Sequence, residues 1–123
     1  MKRMKAFVFL ISVSVLVVLA AGAASGGSTA ADAKGKSQIV KGRDVYTANC
    51  ARCHGGDGLG RTKMGEMTEP PNISDAEWQS YRNTSRMIAS VTNGRGQMPA
   101  FKKKLSKQDI AAAVAYVRTL KKK

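Results

Sequence analysis

The C-terminal stretch LSKQDIAAAVAYVRTLKKK places Ile110, Ala113, Val114, Val117 and Leu120 three and four positions apart, and Tyr116 widens the stripe. That period predicts an amphipathic helix. Ser106 and Asp109 stand where a capping box puts its pair, with Asp as the shorter variant of the usual Glu or Gln. Lys121 to Lys123 suit the negative end of the helix dipole. A second helix is predicted over about Gln38 to Asn49, with Val45 and Tyr46 apolar. A third runs near Thr84 to Thr92, carries Met87, Ile88 and Val91 on one face, and stops at Asn93-Gly94, a good left-handed cap. Ser74-x-x-Glu77 predicts the start of a short helix through Trp78 and Tyr81. No segment alternates polar and apolar residues over a useful length, and there is no internal repeat. The fold class is therefore all-α.

Two stretches resist a helix. His54 to Pro71 holds five glycines, Pro70 and Pro71; Asn93 to Lys104 holds Gly94, Gly96 and Pro99. Both are expected to be loops, and long irregular segments inside a small domain are commonly functional.

The other end of the chain does not belong to this domain. Lys2, Arg3 and Lys5 precede an uncharged run from Ala6 to Ala24, and Ala21-Gly22-Ala23 fits a small-x-small cleavage site. Residues 1–23 read as a secretory signal. The run is also close to the ~20 residues that span a bilayer, so an uncleaved anchor is the competing reading. Residues 24–35, rich in Gly, Ala and Ser, are expected to form a flexible linker, and 36–123 the folded domain. An exported domain of this size commonly needs a staple, metal or cofactor to supplement its core.

Charge narrows the partners. The formal net charge is +13 over 123 residues, and +10 once the three basic residues of the signal are subtracted. Such a surface favours acidic partners or anionic lipid and says nothing about fold. Export argues against nucleic acid.

Chemistry is concentrated in NCARCHGGDG, which contains both cysteines, Cys50 and Cys53, and the one histidine, His54. A structural zinc site wants four ligands, and these are three. A thioredoxin-like dithiol belongs with a βαβ pattern, which is absent. A disulfide across two residues closes too small a loop to contribute much. C-x-x-C-H is the attachment signature of haem c. On a helix the two cysteines project to one side, where each thiol can add to a vinyl group, and the histidine that follows is placed beneath the iron. A sixth ligand is then sought among Met64, Met67, Met87 and Met98. Core packing is what most methionines do. Met64 and Met67 lie on chain still leaving the histidine face, and Met87 fits an apolar helical stripe. Met98, in the Gly-rich loop NGRGQMPAF closed by Pro99, is the favoured axial ligand.

In this order, GRDVYTANCARCHGGDGLG, PPNI, VTNGRGQMPAF and LSKQDIAAAVAYVRTL resemble a class I c-type cytochrome of the small bacterial single-haem kind, over about residues 38–121. The resemblance implies three to four helices wrapped around one covalently attached haem, with the first and last helices packed together. It implies thioether links at Cys50 and Cys53, with His54 and Met98 as proximal and distal ligands. Gly42 and Tyr46 resemble the first-helix positions that meet Ala113 and Tyr116. A proline carbonyl, Pro70 or Pro71, is expected to orient His54, with Pro71 the candidate carried forward. Trp78 is expected either to reach a haem propionate or to pack in the core.

The implied activity is one-electron transfer in the periplasm by a monomer, not enzymatic turnover. The alternative is a haem enzyme or sensor for peroxide or a small gas, in which Met98 leaves the iron. Lys102, Lys103, Lys104 and Lys107 follow Met98 closely and are expected to ring the haem edge on the methionine side and dock acidic redox partners, with peripheral contact to anionic membrane as a further role.

Overall fold

The computed structural model describes residues 29–122. The signal assigned to 1–23, and the first residues of the linker assigned to 24–35, lie outside that range. The described residues form six helices: α1 (Ala30–Asn49), α2 (Ala51–His54), α3 (Lys63–Thr68), α4 (Ala76–Tyr81), α5 (Thr84–Asn93) and α6 (Lys107–Thr119). The expected number was three to four. The difference lies in short pieces: α2 continues α1 past a bend at Cys50, and α3 stands inside a segment expected to be loop.

α1 starts eight residues before its expected position, so the linker reading does not hold over Ala30–Gly35. Thr29 caps it, with the Asp32 carboxylate accepting from the Thr29 N–H at 3.2 Å and from its hydroxyl at 2.7 Å. Residues 30–38 are all exposed, and the first buried position is Gly42. A helix that packs against nothing needs no apolar period, so the sequence shows none there.

α3 is too short to display a period. Its start is set by Thr62, whose Oγ1 accepts from the Gly65 N–H at 2.8 Å. α4 is capped one residue later than expected. Asp75 Oδ1 accepts from the Trp78 N–H at 2.7 Å, while Ser74 is buried and donates to Asn72 Oδ1 at 2.8 Å. α5 begins at an Asn83 cap and ends at Gly94, with φ +77°. The capping box of α6 forms as expected, Asp109 N–H donating to Ser106 Oγ at 3.0 Å.

α1 and α6 cross face to face. Gly42 lies so close to the Ala112 carbonyl that a Cβ would collide with it, and the rings of Tyr46 and Tyr116 tilt together 5.3 Å apart. Ala112, rather than Ala113, is thus the partner of Gly42. The next residue along a helix is turned by ~100°, and Ala113 faces the interior wall. Beside the crossing, Lys41 Nζ lies 2.7 Å from Asp109 Oδ1.

The far end of α6 holds α4. Arg118 donates to the carbonyls of Gln79 and Arg82, both at 2.6 Å, and the buried Gln79 amide donates to Ile73 O and Val117 O, both at 2.8 Å. These bonds satisfy carbonyls at the end of a six-residue helix that has few of its own. Between the two contacts α6 turns Ala113, Val114 and Val117 inward, opposite α4 and α5.

Candidate cofactor site

The α1–α2 bend creates the first half of the site. Cys50 leaves helical geometry at φ −117°, yet its N–H still donates to Tyr46 O at 2.8 Å. Its carbonyl then accepts from both Cys53 N–H at 3.1 Å and His54 N–H at 3.0 Å. Cys50 and Cys53 are thereby one helical turn apart and share a face, as the spacing predicts. Both are free thiols and half-buried. Burial first, and the neighbouring Cys53 second, push the Cys50 thiol up to about 11, while Lys104 pulls the other way. Lys104 therefore stands near Cys50.

Gly55 turns the chain away at φ +76°, and Gly60 N–H donates back to His54 O at 2.8 Å. Thr62 ties the return: its hydroxyl donates to Arg52 O at 2.7 Å. Gly65 packs so tightly on the carbonyls of Gly60 and Cys53 that no side chain fits. The glycine-rich tail is a braced corner rather than a slack loop.

All of this opens onto one cavity of about 760 Å³. That is the range of cofactor pockets, about 300–1,000 Å³. Cys50, Cys53 and His54 line one side. Met98, Phe101, Ala113, Val114, Val117, Trp78, Met87 and Val91 also line the cavity. The six sequence-predicted site residues, Cys50, Cys53, His54, Pro71, Trp78 and Met98, all line it.

His54 Nδ1 is buried without a partner in full hydrogen-bond geometry. Burial lowers the basicity of the ring, and the Pro71 backbone, which can act only through its carbonyl, opposes that. Pro70 and Pro71 both line the cavity with His54. A neutral imidazole beside two free thiols, over an apolar cavity, suits covalent haem c by donor set and by volume. Among the described residues there is no group of three or more His, Cys, Asp and Glu side chains arranged to hold a bare metal ion.

Met98 sits in a turn closed by its own backbone. Arg95 N–H donates to Met98 O and Met98 N–H to Arg95 O, both at 3.0 Å. Gly96 takes φ +56° at the tip, and Phe101 N–H donates to Val91 O at 3.0 Å, docking the loop on α5. Met67 is 72 % exposed, whereas Met87 is buried in α5 and Met64 also reaches the cavity. Trp78 is half-buried on the wall, and among the described residues no protein group accepts its indole N–H.

Sequence reading missed the arginines of the wall, though it expected Lys104 at its edge. Arg52, Arg82, Arg95 and Lys104 all border the cavity, against the single carboxylate of Glu69. Arginines scattered along three segments carry no local signal. The Tyr46 hydroxyl was missed for the same reason: it donates to the Gly55 carbonyl at 2.6 Å, a contact invisible in an apolar helix position.

This fold and cavity define a c-type cytochrome domain. Residues 37–117 match the family described as cytochrome c oxidase, cbb3-type, subunit III, and the chain belongs to that family, with one covalently bound haem c attached at Cys50 and Cys53. It is 32 % identical over 117 residues to a cytochrome c6 of Rippkaea orientalis, covering 95 % of this chain and 92 % of that one. It is 38 % identical over 81 residues to the cbb3-type oxidase subunit FixP of Azorhizobium caulinodans, covering 65 % of this chain. There it spans only 26 % of the relative's length. A solved c-type cytochrome, KustC0563, superposes with a TM-score of 0.62 at 36 % identity, over 66 % of this chain and 98 % of that one. No helix among the described residues is long and apolar enough to cross a membrane.

Proposed function

We propose that this chain carries single electrons between exported or membrane-bound redox proteins, with His54 and Met98 as the two axial ligands of its haem iron. The observation that carries the reading is one apolar cavity bordered jointly by the CARCH turn and by the Met98 turn. Haem c, when bound, supplies an Fe(III)/Fe(II) couple whose potential a thioether ligand raises.

Each residue then has a task. Cys50 and Cys53 tether the group, which suits a protein working where a lost cofactor is not recovered. Desolvation keeps His54 neutral, the form that ligates, and the Pro71 carbonyl orients its ring. The backbone-closed turn holds Met98 without relying on its flexible side chain for placement. Trp78 borders the cavity with an indole N–H free to donate, which fits an acceptor on the haem such as a propionate. Apolar walls exclude water and so disfavour the extra charge of oxidised iron.

Docking falls to the basic edge. Lys102, Lys103, Lys104 and Lys107 are exposed, and Lys104 lies close enough to Cys50 to act on its thiol. Lys104 borders the cavity itself, which supports a basic rim towards which an acidic partner would be steered. The similarity to cytochrome c6 over nearly its whole length supports a free-standing carrier in the periplasm.

The test has two parts. A pyridine haemochrome spectrum of denatured protein after acid–acetone extraction reports thioether-linked haem. The red-region charge-transfer band of the ferric protein reports Met–Fe coordination. The band is expected at neutral pH; a holoprotein without it points instead to an open iron position and peroxide or gas chemistry.

A further inference from the structure

Tyr46 has more to do than fill a helix crossing. It is 1 % exposed, and its ring meets Tyr116 between α1 and α6, a task a phenyl ring would perform. Its hydroxyl reaches past that crossing to the Gly55 carbonyl at 2.6 Å, a bond that packing does not require. Gly55 directly follows His54, and its carbonyl has otherwise only the Gly58 N–H, at 3.3 Å. The Tyr46 backbone also binds this corner, since its carbonyl accepts from the Cys50 N–H at 2.8 Å. One residue therefore grips the CARCH turn at both ends. Tyr116 makes no such bond through its hydroxyl among the described residues.

We propose that Tyr46 is a positioning residue for the haem: its hydroxyl, through the Gly55 carbonyl, fixes the peptide after His54 and so the orientation of the His54 ring against the Pro71 carbonyl. The bond is short and removed from water, the condition under which a phenol donor holds best. Without it, the Gly55 carbonyl is left buried with one long partner, and the turn at φ +76° can relax. A relaxed turn rotates the imidazole and weakens its hold by Pro71, which lowers the electron donation of the ring to iron.

This inference rests on His54 as an iron ligand, and the experiment separates the two. Holoprotein with Tyr46→Phe is compared with wild type and with Tyr116→Phe, which touches the same crossing. Ring orientation is read from the spread of the four haem methyl resonances in the ferric NMR spectrum, and basicity from the midpoint potential. The expected result is a changed spread and a raised potential in Tyr46→Phe alone. Wild-type values in Tyr46→Phe, with only a lowered melting temperature, overturn the proposal. A wild-type protein lacking imidazole nitrogen coupling to iron removes the His54 reading instead. On wild type itself, a slowly exchanging Tyr46 hydroxyl proton is expected, and its absence overturns the proposal without any variant.

Discussion

Gly42 in α1 and Ala112 in α6 meet backbone to backbone, with the Ala112 carbonyl occupying the space a Cβ at position 42 would need. Tyr116 Cβ closes the same space at 3.1 Å. The obstacle is main chain, which cannot swing aside like the end of a long side chain. Gly42→Ala is therefore expected to push the helices apart and to cost about 1–3 kcal/mol, even though alanine is the better helix former. Thermal unfolding of the holoprotein checks it, and an unchanged or raised melting temperature would contradict the crossing.

Asp109 gives the same interface a pH dependence. The Lys41 hydrogen bond first, and the Ser106 hydroxyl second, hold its carboxyl below the ordinary value of 3.8. Folding thus favours the ionised form. The contribution is fully present above the unfolded value and disappears as pH falls through the lower folded one. Because the carboxylate is solvated, the effect is small and screened by salt. Asp109→Asn is expected to be less stable than wild type at neutral pH, with the two denaturation curves converging as pH falls through the lowered folded value of the carboxyl. A gap that persists at acid pH would mean that the residue acts through something other than charge.

Met98 and Met64 both border the cavity, and they are separable by substitution. Met98→Ala is expected to abolish the red-region ferric band and lower the midpoint potential, since the thioether that favours Fe(II) is gone. Met64→Leu keeps the volume and is expected to leave the band in place, at a cost below about 1.5 kcal/mol in stability. The reverse pattern would transfer the ligand role to α3.

Lys104 is the one lysine of the cluster Lys102, Lys103, Lys104 and Lys107 that lines the cavity with Cys50. Charge reversal, Lys104→Glu, is expected to slow electron transfer to an acidic partner at low salt. Wild-type and variant rates should draw together as ionic strength shortens the Debye length to ~3 Å near 1 M. Stopped-flow rates across a salt series check this; equal slopes for the two proteins would remove Lys104 from the docking surface.

Much of the site was legible because its chemistry is local. Cys50, Cys53 and His54 fall on one turn of chain, so their spacing alone states which side chains converge. That Met98 borders the cavity was legible for a different reason: a lone methionine among glycines and a proline has no helix to pack into. α6 announced itself by period and capping box. The short α3 did not, because six residues hold less than two turns and its determinant, Thr62, gains meaning only from the carbonyls of Arg52 and Cys53 behind it. The extra turns of α1 were hidden because nothing buries them.

By itself the sequence determined the candidate side chains of the site, two thiols, one imidazole and a few methionines, and an all-α frame to hold them. Those follow from spacing and period, which are properties of neighbours along the chain. Tertiary structure alone decided that Ala112 rather than Ala113 meets Gly42 and that the Tyr46 hydroxyl reaches Gly55. Each is settled by rotations of tens of degrees about a helix axis or a turn, and such rotations are set by packing between segments distant in sequence.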